Sequence, residues 1–327
     1  MQSPRATEWV NACAAVLAVF LSTYAALISA PSAEARSTPL GWQGLPMAKP
    51  VTLPDGGRAL GDATGALIRL QPYTRIASGS LLADPLLLLL CSPENITTFS
   101  SRAPLTRDAH RYAGKPSTDA TRNIEQLLKL KPDLVLVNSL GERAWVERLR
   151  ESGLVVFDLG PMWGVQTFLH SVAALGELTG RPEAARELAE HFLTRLESVA
   201  QHLPAADRRT ALYVNIHGSH MYGGTRGSSY HDVLSYAGLI DIAAKDFQGW
   251  PTYTPEVLLT LDPEVVVTHT GLRSSLCERG EFGRLTACSP RGAVIEVDMD
   301  LVSDAGLGML DAAELIHHAA YPKEGRR

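Results

Sequence analysis

The side chains able to do chemistry in this chain gather in a few short glycine- and hydroxyl-rich segments. "HGSHMYGGTRGSSYHD" carries His217, His220, Tyr222, Tyr230 and His231, "GWPTYT" carries Trp250 and Tyr253, and "THTGLR" carries His269. Upstream, "RDAHRYAGK" supplies His110 and Tyr112, "PMWG" supplies Trp163, and "RIASGS" supplies Ser78. Rings offer area, while hydroxyls and imidazoles orient a bound group or ligate a metal, so the set suits a large planar or chelated metal complex. Each residue also has a plainer use. His217 and His220 flank Gly-Ser at a strand end, where loop hydrogen bonding competes with ligation. Trp250 could pack beneath its loop or stack on a ligand. These histidines with Asp304 could instead hold a bare metal ion, but no H-x-x-x-H spacing puts two ligands on one helix face. His317 and His318 read as structural residues of the last helix.

Catalytic signatures are missing. "YGGTRGSSYHD" lacks the Gly-Lys-Ser/Thr ending of a phosphate loop, no G-x-S-x-G elbow occurs, and no C-x-x-C pair is present. The strongest enzymatic reading is a chelatase inserting metal into a tetrapyrrole. A net charge of −5 without basic runs gives no footprint for nucleic acid or an anionic membrane surface.

The elements that must position these residues announce themselves by a repeat. "IEQLLKLKPDLVLV", Ile124 to Val137, returns 131 positions later as "PEVLLTLDPEVVVT", Pro255 to Thr268, with six identities in fourteen. Each copy has leucines at helical spacing, a proline that ends the helix, and an aliphatic run of the kind a parallel strand buries on both faces. The reading is two similar α/β lobes, each a parallel sheet flanked by helices. Residues 166 to 202 between them are helical, broken only at "TGRPEAA".

The amino terminus bears on location. Ala12 to Ala30 is uncharged and apolar, and Ala33 and Ala35 make an A-x-A site, so residues 1–35 read as an export signal cleaved before Arg36. An uncleaved membrane anchor is the alternative. Both place the remainder outside the cytoplasm. There, Cys277 and Cys288 are close enough for a local disulfide, leaving Cys91 as a buried thiol at the end of an apolar helix. The expected organisation is 36–73 as an extension with a small hairpin turning at "DGG", 74–163 as the first lobe, 164–204 as the helical bridge and 205–323 as the second lobe.

This plan resembles the periplasmic substrate-binding proteins of ABC importers for iron chelates, haem and cobalamin, the class whose lobes are joined by a rigid helix. "RIASGSLLADPLLLLL" is similar to its opening strand and helix, and "ALGELTGRPEAARELAEHF" to its bridge. The two repeat copies resemble its paired lobe signatures. The resemblance covers residues 75 to 322. It implies a receptor without catalytic activity or permanent cofactor, whose partners are a permease dimer and a metal chelate, a ferric siderophore first, cobalamin or haem next; export and the bridging helix argue against the chelatase. It also implies a monomer, no nucleic-acid partner, and Glu125 and Glu256 as one acidic docking knob per lobe. The ligand would lie between the lobes, where the carboxyl ends of the strands expose their loops. Trp250 is similar to an aromatic position of cobalamin-type relatives, and Tyr112 lies in the loop from which haem-type relatives supply a tyrosinate.

Overall fold

The computed structural model describes residues 48–106, 108–119, 123–138, 143–218, 220–278, 280, 282–298, 301 and 306–322. Residues 1–35, read as an export signal, residues 36–47 of the expected extension, and Asp304 lie outside the described residues.

A three-stranded antiparallel meander comes first: β1 (Val51–Thr52), β2 (Arg58–Gly61) and β3 (Leu67–Arg69). The sequence promised only its first hairpin, whose "DGG" turn places Gly56 at φ 80°, a region costly for any side chain. The meander does not stand alone. Asp62, with no side-chain exposure, ion-pairs Arg150 and accepts from Thr64 and from the backbone N–H of Asp158, tying the meander to the first lobe.

That lobe is a five-stranded parallel sheet in the order β6-β5-β4-β7-β8, built from β4 (Ile76–Ser78), β5 (Ile96–Ser100), β6 (Ser117–Thr118), β7 (Leu134–Val137) and β8 (Val156–Asp158). Its helices are α1 (Ala83–Leu90), α2 (Ile124–Leu130) and α3 (Arg143–Glu151). Two long helices follow, α4 (Val165–Leu178) and α5 (Pro182–Ser198). The bridge is therefore a helical pair. Gly180 at φ 70° makes the turn, and α5 folds back on α4 with the Phe168 and Phe192 rings 4.8 Å apart. Gly176 permits the close approach: a Cβ there would stand 2.4 Å from that of Ala185.

The second lobe holds a four-stranded parallel sheet in the order β12-β9-β14-β15: β9 (Thr210–Tyr213), β12 (Ile240–Asp241), β14 (Val265–His269) and β15 (Ala293–Val297). Around it lie α6 (Ser229–Tyr236), α7 (Pro255–Leu261), α8 (Arg273–Cys277) and α9 (Gly308–Ala320). Cys277 at the end of α8 is bonded to Cys288, and Cys91 is free, half-buried, its thiol pushed up to about 11 chiefly by burial. The segment read as one long loop, residues 217–231, is more ordered than that. It carries the last residue of β10 (Asn215–His217) and all of β11 (His220–Tyr222), which pair with β13 (Thr252–Tyr253) in an antiparallel sheet, and α6 already begins at Ser229.

Both copies of the repeat fold alike. Asn123 and Thr254 cap their helices by accepting from the backbone N–H three residues on. Lys131 and Asp262 end them in the left-handed region, at φ 48° and 39°. The acid after the proline then reaches across to the start of the neighbouring strand. Asp133 accepts from the backbone N–H groups of Thr74 and Arg75 at 2.8 and 2.9 Å, and Glu264 from that of Thr210 at 2.8 Å. Arg75 and Arg209 complete the clamps by donating to carbonyls of Lys131 and Glu264. Asp133→Ala and Glu264→Ala should each cost about 1–3 kcal/mol in urea unfolding, the usual penalty for orphaning donors to a charged acceptor. An unchanged midpoint would show that the clamp does not hold the strand.

Candidate functional site

The cleft end of each sheet is where the strands terminate. In the second lobe, Tyr213 closes β9 and His269 closes β14, and the Tyr213 hydroxyl and His269 Nε2 share a 2.7 Å hydrogen bond. His269 is only 7% exposed, and burial lowers its pKa, so the imidazole is kept neutral. Tyr213 stacks on Tyr230 with centroids 3.9 Å apart, and Tyr230 meets Trp250 edge-on at 4.9 Å. Burial holds the Tyr213 phenol protonated. A continuous ladder of rings thus leads from the buried His269 out to Trp250, whose indole is 56% exposed.

Trp163 stands at the same corner. It precedes Gly164 at φ 137°, where a Cβ would fall 2.1 Å from an Asp232 oxygen. That carboxylate accepts from the backbone N–H of Val165 at 2.7 Å, so α6 of the second lobe caps the first turn of the bridge. Burial pushes the Asp232 carboxyl up while Val165 opposes it. Thr167 accepts from the backbone N–H of Trp163 at 2.9 Å, fixing the main chain beneath an indole that is 62% exposed. Two indoles this open, flanking the amino end of α6, are unusual for the side chain with the most to gain from burial.

The remaining candidates divide. Tyr222 is half-buried on β11, and its hydroxyl accepts from the Asn215 amide at 2.8 Å. His217 and His220 are exposed and directly paired across the β10–β11 hairpin. His231 turns away to Asp241, at 2.8 Å, which also accepts from Thr225. His110 is exposed at the rim of the first lobe, but Tyr112 is buried edge-on against Phe99. Ser78 is fully buried and serves the loop backbone, donating to the carbonyl of Ser80 and accepting from its N–H. His317 is taken up by its own surroundings, its Nδ1 facing the Ala237 carbonyl at 3.0 Å. Among the described residues no three His, Cys, Asp or Glu side chains come together as a metal cluster.

Two residues central to these walls were not singled out by sequence: Tyr213 and Asp84. Asp84, at the start of α1, is buried below the first lobe's strand ends and accepts from the Ser100 hydroxyl and backbone N–H. Desolvation raises its pKa from 3.8 to about 6 against these bonds. A carboxyl whose folded pKa is raised binds its proton in the native state first, so its contribution to stability grows as pH falls from 6 towards 4. The stability of wild type relative to Asp84→Asn should therefore rise by roughly 2–3 kcal/mol between pH 7 and pH 4. A pH-independent difference would show that Asp84 titrates normally.

Comparison with known proteins fits this geometry. A family model described as a periplasmic binding protein matches residues 85–282. The chain is similar to an uncharacterized ABC transporter substrate-binding lipoprotein of Bacillus subtilis, 22% identical over 210 residues, covering 62% of this chain and 67% of that protein. It is also similar to a cobalamin-binding protein of Halobacterium salinarum, 29% identical over 158 residues, 47% of this chain and 42% of that one. Among solved structures, a possible iron-binding periplasmic solute-binding protein of Staphylococcus epidermidis superimposes with a TM-score of 0.67 at 21% identity, over 76% of this chain and 99% of that one.

Proposed function

The chain belongs to the periplasmic binding protein family, and from that membership we propose that it is an extracytoplasmic receptor for a corrinoid, which it delivers to an ABC permease. Proteins of this helical-bridge class bind and hand over solutes and catalyse nothing. The observation that carries the choice of solute is the pair of open indoles, Trp163 and Trp250, at one corner of the cleft, the second backed by the stacked Tyr230 and Tyr213. A macrocycle of corrin size offers the broad, weakly charged face that such a wall can cover. The similarity to a cobalamin-binding protein supports the same choice. This reading puts a corrinoid ahead of the ferric siderophore that the sequence suggested first, with haem next.

Ligand contact falls to Trp163, Trp250 and Tyr222, with His110 at the opposite rim, while Tyr230 and His269 support the wall from behind. Tyr112 and Ser78 have no part in it in this arrangement, being buried. Because one core runs through both lobes, closure is small and affinity comes from a largely preformed surface.

Tryptophan fluorescence of the protein, titrated separately with cyanocobalamin, haemin and ferrichrome, tests the assignment. Saturable quenching by cyanocobalamin alone at micromolar or lower concentration is expected, with Trp250→Ala weakening it. Saturation by haemin or ferrichrome instead would reassign the cargo, and silence from all three would remove the chelate reading.

Glu125 and Glu256 are exposed in the first turns of α2 and α7, and neither joins an ion pair with a described residue. Backbone N–H donation at the helix start and the Thr254 side chain hold Glu256 below the usual carboxylate range. Both stand exposed and available for cationic pockets on a two-fold permease. Glu125→Arg with Glu256→Arg should abolish uptake by cells and leave the solution affinity for the chelate unchanged; intact uptake would end the docking role.

A further inference from the structure

The β10–β11 hairpin grows out of the carboxyl end of β9, so it overhangs the cleft end of the second lobe. Its strands alternate strictly. Ile216 and Met221 face the hydrophobic cluster built by Leu212, Val214 and Tyr253, with Met221 3% exposed. Asn215, Tyr222, His217 and His220 therefore share the opposite face. On it, His217 and His220 are direct cross-strand partners, next to Gly218 at φ 61°, and both are exposed.

Side chains directly opposite one another in an antiparallel pair have Cβ atoms about 5 Å apart. Imidazole nitrogens bind zinc at about 2.0–2.1 Å, so two opposed imidazoles can converge on adjacent coordination positions of one ion. We infer that His217 and His220 form a bidentate site for a hydrated divalent transition-metal ion of the copper, nickel and zinc class, distinct from the macrocycle surface at Trp163 and Trp250. Imidazole donors select those ions over magnesium or calcium. Water completes the coordination, since no third His, Cys, Asp or Glu joins the pair among the described residues. The geometry also states what the pair does not bind. A metal held in a closed tetrapyrrole offers only two free positions, on opposite faces of the ring, whereas this hairpin needs two adjacent ones. The site therefore takes a metal ion with an open coordination sphere.

The test uses untagged protein titrated calorimetrically with CuCl2, NiCl2 and ZnCl2, beside His217→Gln, His220→Gln, their double variant, and His202→Gln as an exposed-histidine control. One equivalent of ion per chain is expected. Each single substitution should weaken binding at least about tenfold, the lower end of what losing even an outer-shell partner costs. The double variant should lose saturable binding altogether, and the control should match wild type. No saturable binding by wild type, or binding that survives in the double variant, overturns the inference. Electron paramagnetic resonance of the Cu(II)-loaded wild type gives an independent reading: two coupled imidazole nitrogens support the site, and one refutes it. Both side chains are exposed at a hairpin tip, and thermal melts that coincide with wild type separate loss of ligation from loss of fold.

Discussion

The two lobes are not independent bodies, because one hydrophobic core passes through both. Leu134 and Leu136 of the first sheet, Val172 and Leu175 of the bridge, and Val267 and Ile316 of the second lobe belong to the same buried cluster. The bridge is packed on every side that matters: α4 against α1, α5 against α4 and α9, and the amino end of α4 against the Asp232 carboxylate. Interiors at this density do not deform continuously. Any large rotation of one lobe against the other would have to open that core, so the cleft is held near the shape its walls already have. Rigidity in the bridge is thus the condition on which the exposed indoles can serve as a prebuilt surface.

The repeated sequence has two faces with different duties, which explains why so short a pattern is kept in both lobes. Its inward carboxylates, Asp133 and Glu264, gather the first backbone N–H groups of the adjacent strand and so set where each sheet begins. Its outward carboxylates, Glu125 and Glu256, are left to solvent at capped helix starts. The difference in length between Asp133 and Glu264 is absorbed locally: Asp133 uses both oxygens on Thr74 and Arg75, while Glu264 brings one oxygen to Thr210 and offers its own N–H to the Thr210 hydroxyl.

How much of this was legible in the sequence follows from how local each cause is. Proline breaks and unbroken aliphatic runs located α2, β7, α7 and β14, and "TGRPEAA" located the turn between α4 and α5. The antiparallel sheet was hidden because its strands are two or three residues long and set among glycines, and because β13 arrives from thirty positions away in sequence. Tyr213 was hidden differently: "LYV" reads as plain strand, and only its register beside Val267, two residues before His269, reveals the ring ladder. A tyrosine closing a parallel strand was the available clue. Ser78 and Tyr112 were legible as strand-end and loop residues, but burial depends on what packs above them, and no local pattern encodes that.

The last described helix carries a consequence for the order in which the fold can close. Met309, Ala312, Ala313 and Ile316 of α9 are fully buried, covering α6 and completing the shared core. In chain order α9 follows every other described helix and strand. A polypeptide emerging amino end first therefore lacks the lid of this interior until all the other described helices and strands have been made. The faces of α6 and of the shared core that α9 covers stay open to water until then, and burying them is the last step in closing the second lobe.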